Sequence, residues 1–336
     1  MLARTMEKTV LGIDISKKDF HVVCLSTGKS TKPRKFSNDS EGFEKLLAWL
    51  QGLEVSNLHA CMEATSTYGE ALAQFLVGQQ FTVSIVNPAR IKGFAKSELL
   101  RTKTDSVDAA LIARFCQAIN PSPWTPLPAE IKELQELMRR LEALQQMEQQ
   151  ERNRLETSTG VITELILSHL EGLHQQQQQV KQLIRDHFQG HPHLGKQQEL
   201  LTSIPGIGEL TASVLLAEIG QIENYHTARQ LAAHAGLTPS QWTSGTSVQR
   251  KPRLSHTGNR RLRKALYMPA IVAMRHNPLL KAFSQRLLSR GKVKMQVIGA
   301  VMRKLLHLAF ALLKSQKPFD PNYTIAAPSA VLIASP

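Results

Sequence analysis

The stretch from Arg101 to Phe115, RTKTDSVDAALIARF, constrains this chain more than any other. Its apolar residues Val107, Leu111, Ile112 and Phe115 recur at helical spacing, so Asp105 and Asp108 share one face of the first turn of a helix. Two uses of that pair compete. In one, Asp105 is the N-cap and Asp108 its acidic partner, both favoured by the positive end of the helix dipole. In the other, the pair is half of a metal site. Two further carboxylates, Asp14 and Glu63, each close an apolar strand. Four carboxylates together suit Mg²⁺, with Mn²⁺ as a substitute, because hard cations take oxygen ligands. A cap is the commoner role for such a pair, and the two upstream acids shift the balance toward metal.

The elements around these acids set a fold class. Residues 9–25, TVLGIDISKKDFHVVCL, read as two strands about a polar turn, the first ending at Asp14 and the second alternating Phe20, Val22 and Cys24. A short third strand is expected near Lys32 to Phe36. A helix capped from Ser37 to Ser40 then carries Phe43, Leu46, Leu47 and Leu50. LHACMEATSTYGE supplies a strand delivering Glu63, residues 69–79 a helix, and FTVSIVN a strand stopped by Pro88. Strand, strand, strand, helix, strand, helix, strand, helix is an α/β order. It is that of the ribonuclease-H-like fold, in which carboxylates of the first strand, the fourth strand and a late helix meet at one metal site.

Asn120 to Pro128, NPSPWTPLP, holds four prolines and reads as a linker. Residues 129–188 are rich in Gln, Glu and Leu, with leucines at 134, 137, 141 and 144, and predict long helices or a coiled-coil arm. Within it Gln175 to Gln179 is expected to be a solvated face. His187, His191 and His193 resemble metal ligands in type, but no fourth ligand is near and Pro192 marks a turn. Further on, LLTSIPGIGELTASVLLAEIG reads as helix, turn, helix. Gly206 and Gly208 would let the backbone approach a ligand, and the next helix start would offer N–H groups to a phosphate. The plain alternative is an ordinary helical hairpin.

Charge favours the phosphate. The chain has 41 Lys and Arg against 27 Asp and Glu, a net charge of +14, which points to a polyanionic partner. Aromatics are only 5% of residues, so backbone contacts are a better fit than base stacking. Seven cations, Arg250, Lys251, Arg253, Arg260, Arg261, Arg263 and Lys264, follow one another with no acid between them. Such a run is usually a solvated face, but an unbalanced one is better explained by phosphates. Just before it, Gln241 to Ser247 is small and polar, an expected exposed loop offering Ser244 and Ser247 as nucleophiles, although most loop serines are turn residues. Residues 293–314 form an apolar helix closing a small core, and the tail beyond Pro318 is expected to be disordered. Cys24, Cys61 and Cys116 are far apart without a CxxC pair, which fits a reducing cytoplasm. The N-terminus lacks a signal-peptide core, and no segment is expected to span a membrane.

Taken together, GIDISK, CMEATSTYGE, VNPARIKGFAKSELLRTKTDSVDAALIARF, SIPGIGELTASVLLAEIG, HAGLTPS and TSGTSVQRKPRLSHTGNRRLRKALYMPA resemble, in order, the transposases of the IS-one-ten insertion-sequence family, which are related to Piv-type DNA invertases. The resemblance runs from about residue 9 to 320. It implies a RuvC-like domain over 1–125, a coiled-coil arm over 126–195, a mainly helical transposase domain with a helix-hairpin-helix over 196–325, and a tail over 326–336. The family's four acidic positions fall on Asp14, Glu63, Asp105 and Asp108, its serine nucleophile on Ser244, with Ser247 less favoured. His234 stands where the family tends to be aromatic. The resemblance further implies strand exchange on donor and target DNA guided by a structured non-coding bridge RNA, a tetramer whose two halves meet across subunits, and a nucleoid-associated life in the bacterial cytoplasm. A metal nuclease or junction resolvase would use the carboxylates and leave Ser244 idle. A sugar kinase would share only the first-strand Asp, and the basic charge opposes it.

Overall fold

The computed structural model describes residues 9–26, 29–55, 57–64, 68–99, 104–244, 248–255 and 257–322. The chain divides into two compact units, Met1–Pro126 and Leu127–Pro336.

The first unit is a mixed sheet with helices on both faces. Strand β1 (Thr9–Ile15) turns back through Ser16, whose hydroxyl donates to the Asp19 carbonyl at 2.8 Å, into antiparallel β2 (Asp19–Ser26). β3 (Lys29–Ser30) and β4 (Arg34–Ser37) both pair with β2. α1 (Ser40–Gly52) starts at Asp39, whose carboxylate accepts from the Gly42 N–H at 2.8 Å. β5 (Leu58–Glu63) then lies parallel to β1, α2 (Glu70–Gly78) crosses over, and β6 (Thr82–Val86) lies parallel to β5. The sheet order is β3-β2-β1-β5-β6, with β4 also on β2.

Because side chains alternate along a strand, each strand feeds two cores. Leu11, Ile13, Phe20, Val22 and Met62 pack under Leu46 and Leu50 of α1 and Leu72 of α2. Val10, Cys61 and Val86 pack against α3 (Pro88–Ser97) and α4 (Asp105–Ile119) through Ile91, Ile112 and Phe115. Burial on both faces explains the unbroken apolar run of β1.

Sequence reasoning missed α3. Its apolar stripe is short, Ile91 buried with Phe94 and Ala95 packed beside it, yet Asn87 caps it by accepting from the Ala89 N–H at 2.8 Å and Pro88 occupies N1. The cap of α4 is also corrected. Thr104, not Asp105, is the N-cap, its hydroxyl accepting from the Val107 N–H at 3.4 Å, so both aspartates lie inside the first turn. Part of the proline-rich linker is docked on the sheet edge. The Trp124 N–H donates to the Val83 carbonyl at 2.7 Å, and the buried Ser84 hydroxyl donates to the Ser122 carbonyl at 2.9 Å while meeting His59 Nε2 at 2.8 Å.

Among the described residues, the second unit is helical apart from one hairpin. α5 (Ala129–Leu155) and α6 (Val161–Gly190) run antiparallel, tied by Gln177 donating to Glu148 at 2.6 Å and Arg140 donating to Gln176 at 2.8 Å. The glutamine run is therefore not wholly solvated, because Gln177 is buried against α5. α7 (Pro192–Thr202), α8 (Glu209–Ile219), α9 (Ala228–His234), α10 (Arg260–Ala265), α11 (Tyr267–His276), α12 (Pro278–Ser289) and α13 (Lys294–Ser315) share one core with the base of the α5–α6 pair. α13 is long and apolar enough to cross a membrane by length and composition alone. Here Val297, Val301, Leu305, Leu306 and Ala309 are buried in that core. Of the tail expected to be disordered beyond Pro318, Phe319 instead packs on this core and its N–H donates to Ser203 Oγ at 2.9 Å, while residues from 323 onward lie outside the described residues.

Candidate functional site

Strand register decides where the acids of the first unit go. β1 and β5 are parallel with Ile13 beside Met62, so the next residues, Asp14 and Glu63, are lateral neighbours on one sheet face. Across the hairpin, Asp14 pairs with His21. That face is the one α4 covers, since Val10 and Cys61, on the same side, pack against it.

Gly12 sets how closely α4 approaches. A Cβ there would lie 2.1 Å from the Ala109 carbonyl oxygen and 2.3 Å from the Ala113 nitrogen. Only a residue without a side chain lets the helix backbone rest on the strand. Ala109 and Ala113, one helical turn apart, supply the matching small surface. Asp108 immediately precedes that contact and Asp105 lies one turn before it, near His21, the cross-strand partner of Asp14. His21 Nδ1 is 3.8 Å from Asp105 Oδ2, which ties the helix start to β2.

Asp14, Glu63 and Asp108 are half-buried and Asp105 is exposed. Among the described residues, no three His, Cys, Asp or Glu side chains are drawn close enough together to hold a metal ion. The donor set nevertheless has the chemistry of a magnesium site, all carboxylate oxygen. His21 was missed by sequence reasoning, although the alternation of Phe20, Val22 and Cys24 leaves it on the face opposite them, where Asp14 lies.

The second unit carries the other candidates. Gly206 has φ +110°, and a Cβ there would meet Ala273 Cβ at 2.9 Å and the Pro269 carbonyl at 3.0 Å. Its glycine character therefore serves packing on α11. Gly208, the N-cap of α8, is exposed with open space around it and no side-chain cap. Gln241 to Ser244, expected as loop, belong to strand β7 (Pro239–Ser244), paired with β8 (Val248–Leu254). Trp242 and Thr243 suit a strand, which the polar composition concealed. The Ser244 backbone pairs with Val248 at the end of this hairpin, and Ser247 lies outside the described residues.

The expected seven-cation cluster separates. Arg250, Lys251 and Arg253 lie along β8. Arg261 and Lys264 of α10 are both claimed by Glu142 of α5, at 3.0 and 2.9 Å. Burial alone would raise the Glu142 carboxyl, but Lys264 and Arg261 outweigh it and hold it below the ordinary glutamate range. Arg263 donates to the Ala235 carbonyl at 3.2 Å beneath Gly236. Arg260 is exposed. The His187, His191 and His193 group sits where α5, α6 and α7 meet, with His187 3.4 Å from Glu133 and His193 3.5 Å from Glu130.

A carboxylate face on a mixed sheet, followed by a strongly basic helical unit, fits a protein that works on nucleic acid. Comparison with known proteins makes the class specific. Residues 11–159 match a family described as Transposase, and residues 198–285 match one described as Transposase IS116/IS110/IS902 family. The pilin gene-inverting proteins of Moraxella bovis and Moraxella lacunata are each 37% identical over 322 residues, spanning 94% of this chain and 98% of theirs. The transposase for insertion sequence element IS1328 of Yersinia enterocolitica is 24% identical over 79% of this chain and 84% of its own. The protein is a DNA recombinase of the transposase and invertase class. Within that class it belongs to the IS116/IS110/IS902 family of transposases.

Proposed function

We propose that this transposase carries out RNA-guided, site-specific strand exchange through a covalent serine–DNA intermediate. The observation that supports the reading is that Asp14 and Glu63 are register neighbours near the ends of adjacent parallel strands, on the sheet face against which Gly12 seats the helix whose first turn carries Asp105 and Asp108. A ribonuclease-H-like reading of the first unit is supported by the central β1 with antiparallel β2 on one side and parallel β5 and β6 on the other. Asp14, Glu63, Asp105 and Asp108 would hold Mg²⁺ or Mn²⁺ through their carboxylate oxygens. When bound, such an ion polarises a phosphate and neutralises charge that develops there.

The remaining chemistry falls to the chain's own groups. Ser244 Oγ attacks phosphorus, forming a Ser–O–P ester as the bond from phosphorus to one sugar oxygen breaks. The serine proton leaves to a base, and the departing sugar oxygen takes up a proton from a general acid or water to become a hydroxyl. Attack of another strand's hydroxyl on the ester reverses the step, so rejoining needs no nucleotide cofactor. Gly208, Arg250, Lys251, Arg253 and Arg260 would contact donor and target DNA through phosphates. Sequence choice would come from base pairing with a bridge RNA, and the active form would be a tetramer built from dimers in the bacterial cytoplasm, at the nucleoid.

The test is trapping on a labelled duplex nicked opposite the cleavage site. Wild type should give a protein–DNA adduct that survives denaturation and needs both the RNA and a divalent cation. An adduct formed by Ser244→Ala, or release of only free hydroxyl and phosphate ends by wild type, would refute the serine step and leave a water-using nuclease.

A further inference from the structure

Between Asn224 and Phe319 the chain has eighteen Lys and Arg and not one Asp or Glu. Glu142 offsets two of these cations, but the turn joining α12 to α13 is built differently. It closes with a left-handed Gly291, φ +74°, the Gly291 N–H donating to Leu288 at 2.9 Å and the Lys292 N–H to Leu287 at 3.1 Å. This pair of bonds is a Schellman closure, which holds the residues after it in a defined orientation.

What the turn displays is mixed in kind. Lys292 and Lys294 are exposed, and between and beside them Val293 is 62% and Met295 63% exposed. The start of α11 adds Met268, 61% exposed, and Tyr267, whose hydroxyl lies 4.0 Å from Met295 Sδ. Large apolar side chains left in water beside unbalanced cations are the composition of a contact surface. A plain phosphate-gripping face needs no methionines.

We infer that this knuckle docks DNA at a base step that has been opened, with Lys292 and Lys294 on the flanking phosphates and Met295 and Met268 against the exposed base face. Flexible apolar side chains serve this purpose because they follow the irregular surface of an unstacked step. The inference rests on the DNA-recombinase reading, but it needs neither the serine ester nor the carboxylate site.

Binding is therefore measured with Ser244→Ala protein in EDTA, on a perfect duplex and on the same duplex with a central two-base mismatch. The background protein should prefer the mismatched duplex by about tenfold. Lys292→Gln with Lys294→Gln should weaken both complexes and lower the slope of log K against log salt by roughly 1.8, two phosphate contacts at about 0.9 each. Met268→Ser with Met295→Ser should keep the slope and lose the preference, and Met295→Leu should retain it. An unchanged slope in the lysine pair, an unchanged preference in the methionine pair, or an effect on RNA hairpins alone would each overturn the inference. A changed sedimentation coefficient in the methionine pair would also overturn it, assigning the face to a second copy of the chain. Unaltered far-ultraviolet circular dichroism in each variant keeps these outcomes interpretable.

Discussion

In the sheet unit, Asp14 and Glu63 are set side by side on one sheet face by hydrogen-bonded register, and a glycine seats against that face the helix whose first turn carries Asp105 and Asp108. In the helical unit, cations are scattered over strands, helices and turns, and side-chain pairing sorts them. Asp14 and Glu63 are neighbours because Ile13 pairs with Met62, whatever their side chains do. Arg261 and Lys264, by contrast, are distinguished from Lys292 and Lys294 only by a glutamate more than a hundred residues upstream. Position fixed by backbone survives isosteric substitution. Availability fixed by a side-chain partner does not.

The largest expected effect tests the first half of that contrast. Gly12→Ala would place a Cβ 2.1 Å from a helix carbonyl, so α4 must lift. Overpacking of this kind costs about 3 kcal/mol or more in a tight core, and a thermal melt of the first unit's transition should fall by several degrees. Near-wild-type melting and recombination in Gly12→Ala would show that α4 does not need the close seat. Next comes Glu63→Gln, which keeps shape and register. Recombination should drop at least a hundredfold with melting unchanged, as read by product formation on paired DNA substrates. Activity within a few-fold of wild type would remove Glu63 from the chemistry.

Smaller effects probe the second half. Glu142→Gln should cost only about 1 kcal/mol of stability, because partly exposed ion pairs are weak. It should also free Arg261 and Lys264 for phosphates, steepening the salt dependence of DNA binding by up to about two. If the slope stays the same, these cations were already engaged or cannot reach DNA. The smallest effect is in pH. The Glu142 carboxyl is held low in the folded chain, so its contribution is present above the ordinary glutamate value of about 4.3 and is lost as pH falls through the lower folded value. Acid melts of wild type and Glu142→Gln should therefore converge below that window, and a constant gap down to pH 2 would exclude the clamp.

Most of the element order of the first unit, short of strand β3 and helix α3, the helical hairpin and the basic bias were legible in the sequence. Each rests on a local pattern: period-two or helical apolar spacing, a proline or glycine stop, or a count of charges. The α3 helix escaped because its apolar stripe is only Ile91, Phe94 and Ala95 among charged residues, and β7 because its residues are mostly polar. What tertiary structure alone decided was which residues are spent on the fold. Gly206, read as an opening for a phosphate, is filled by Ala273 and Pro269. Gln177, in a run that looked fully solvated, is buried on Glu148. His21 joins the carboxylate face only through a cross-strand pair and a 3.8 Å approach to Asp105. Periodicity records which face of an element is apolar. It carries no record of which distant residue will meet that face, and for charged and glycine positions that partner determines the role.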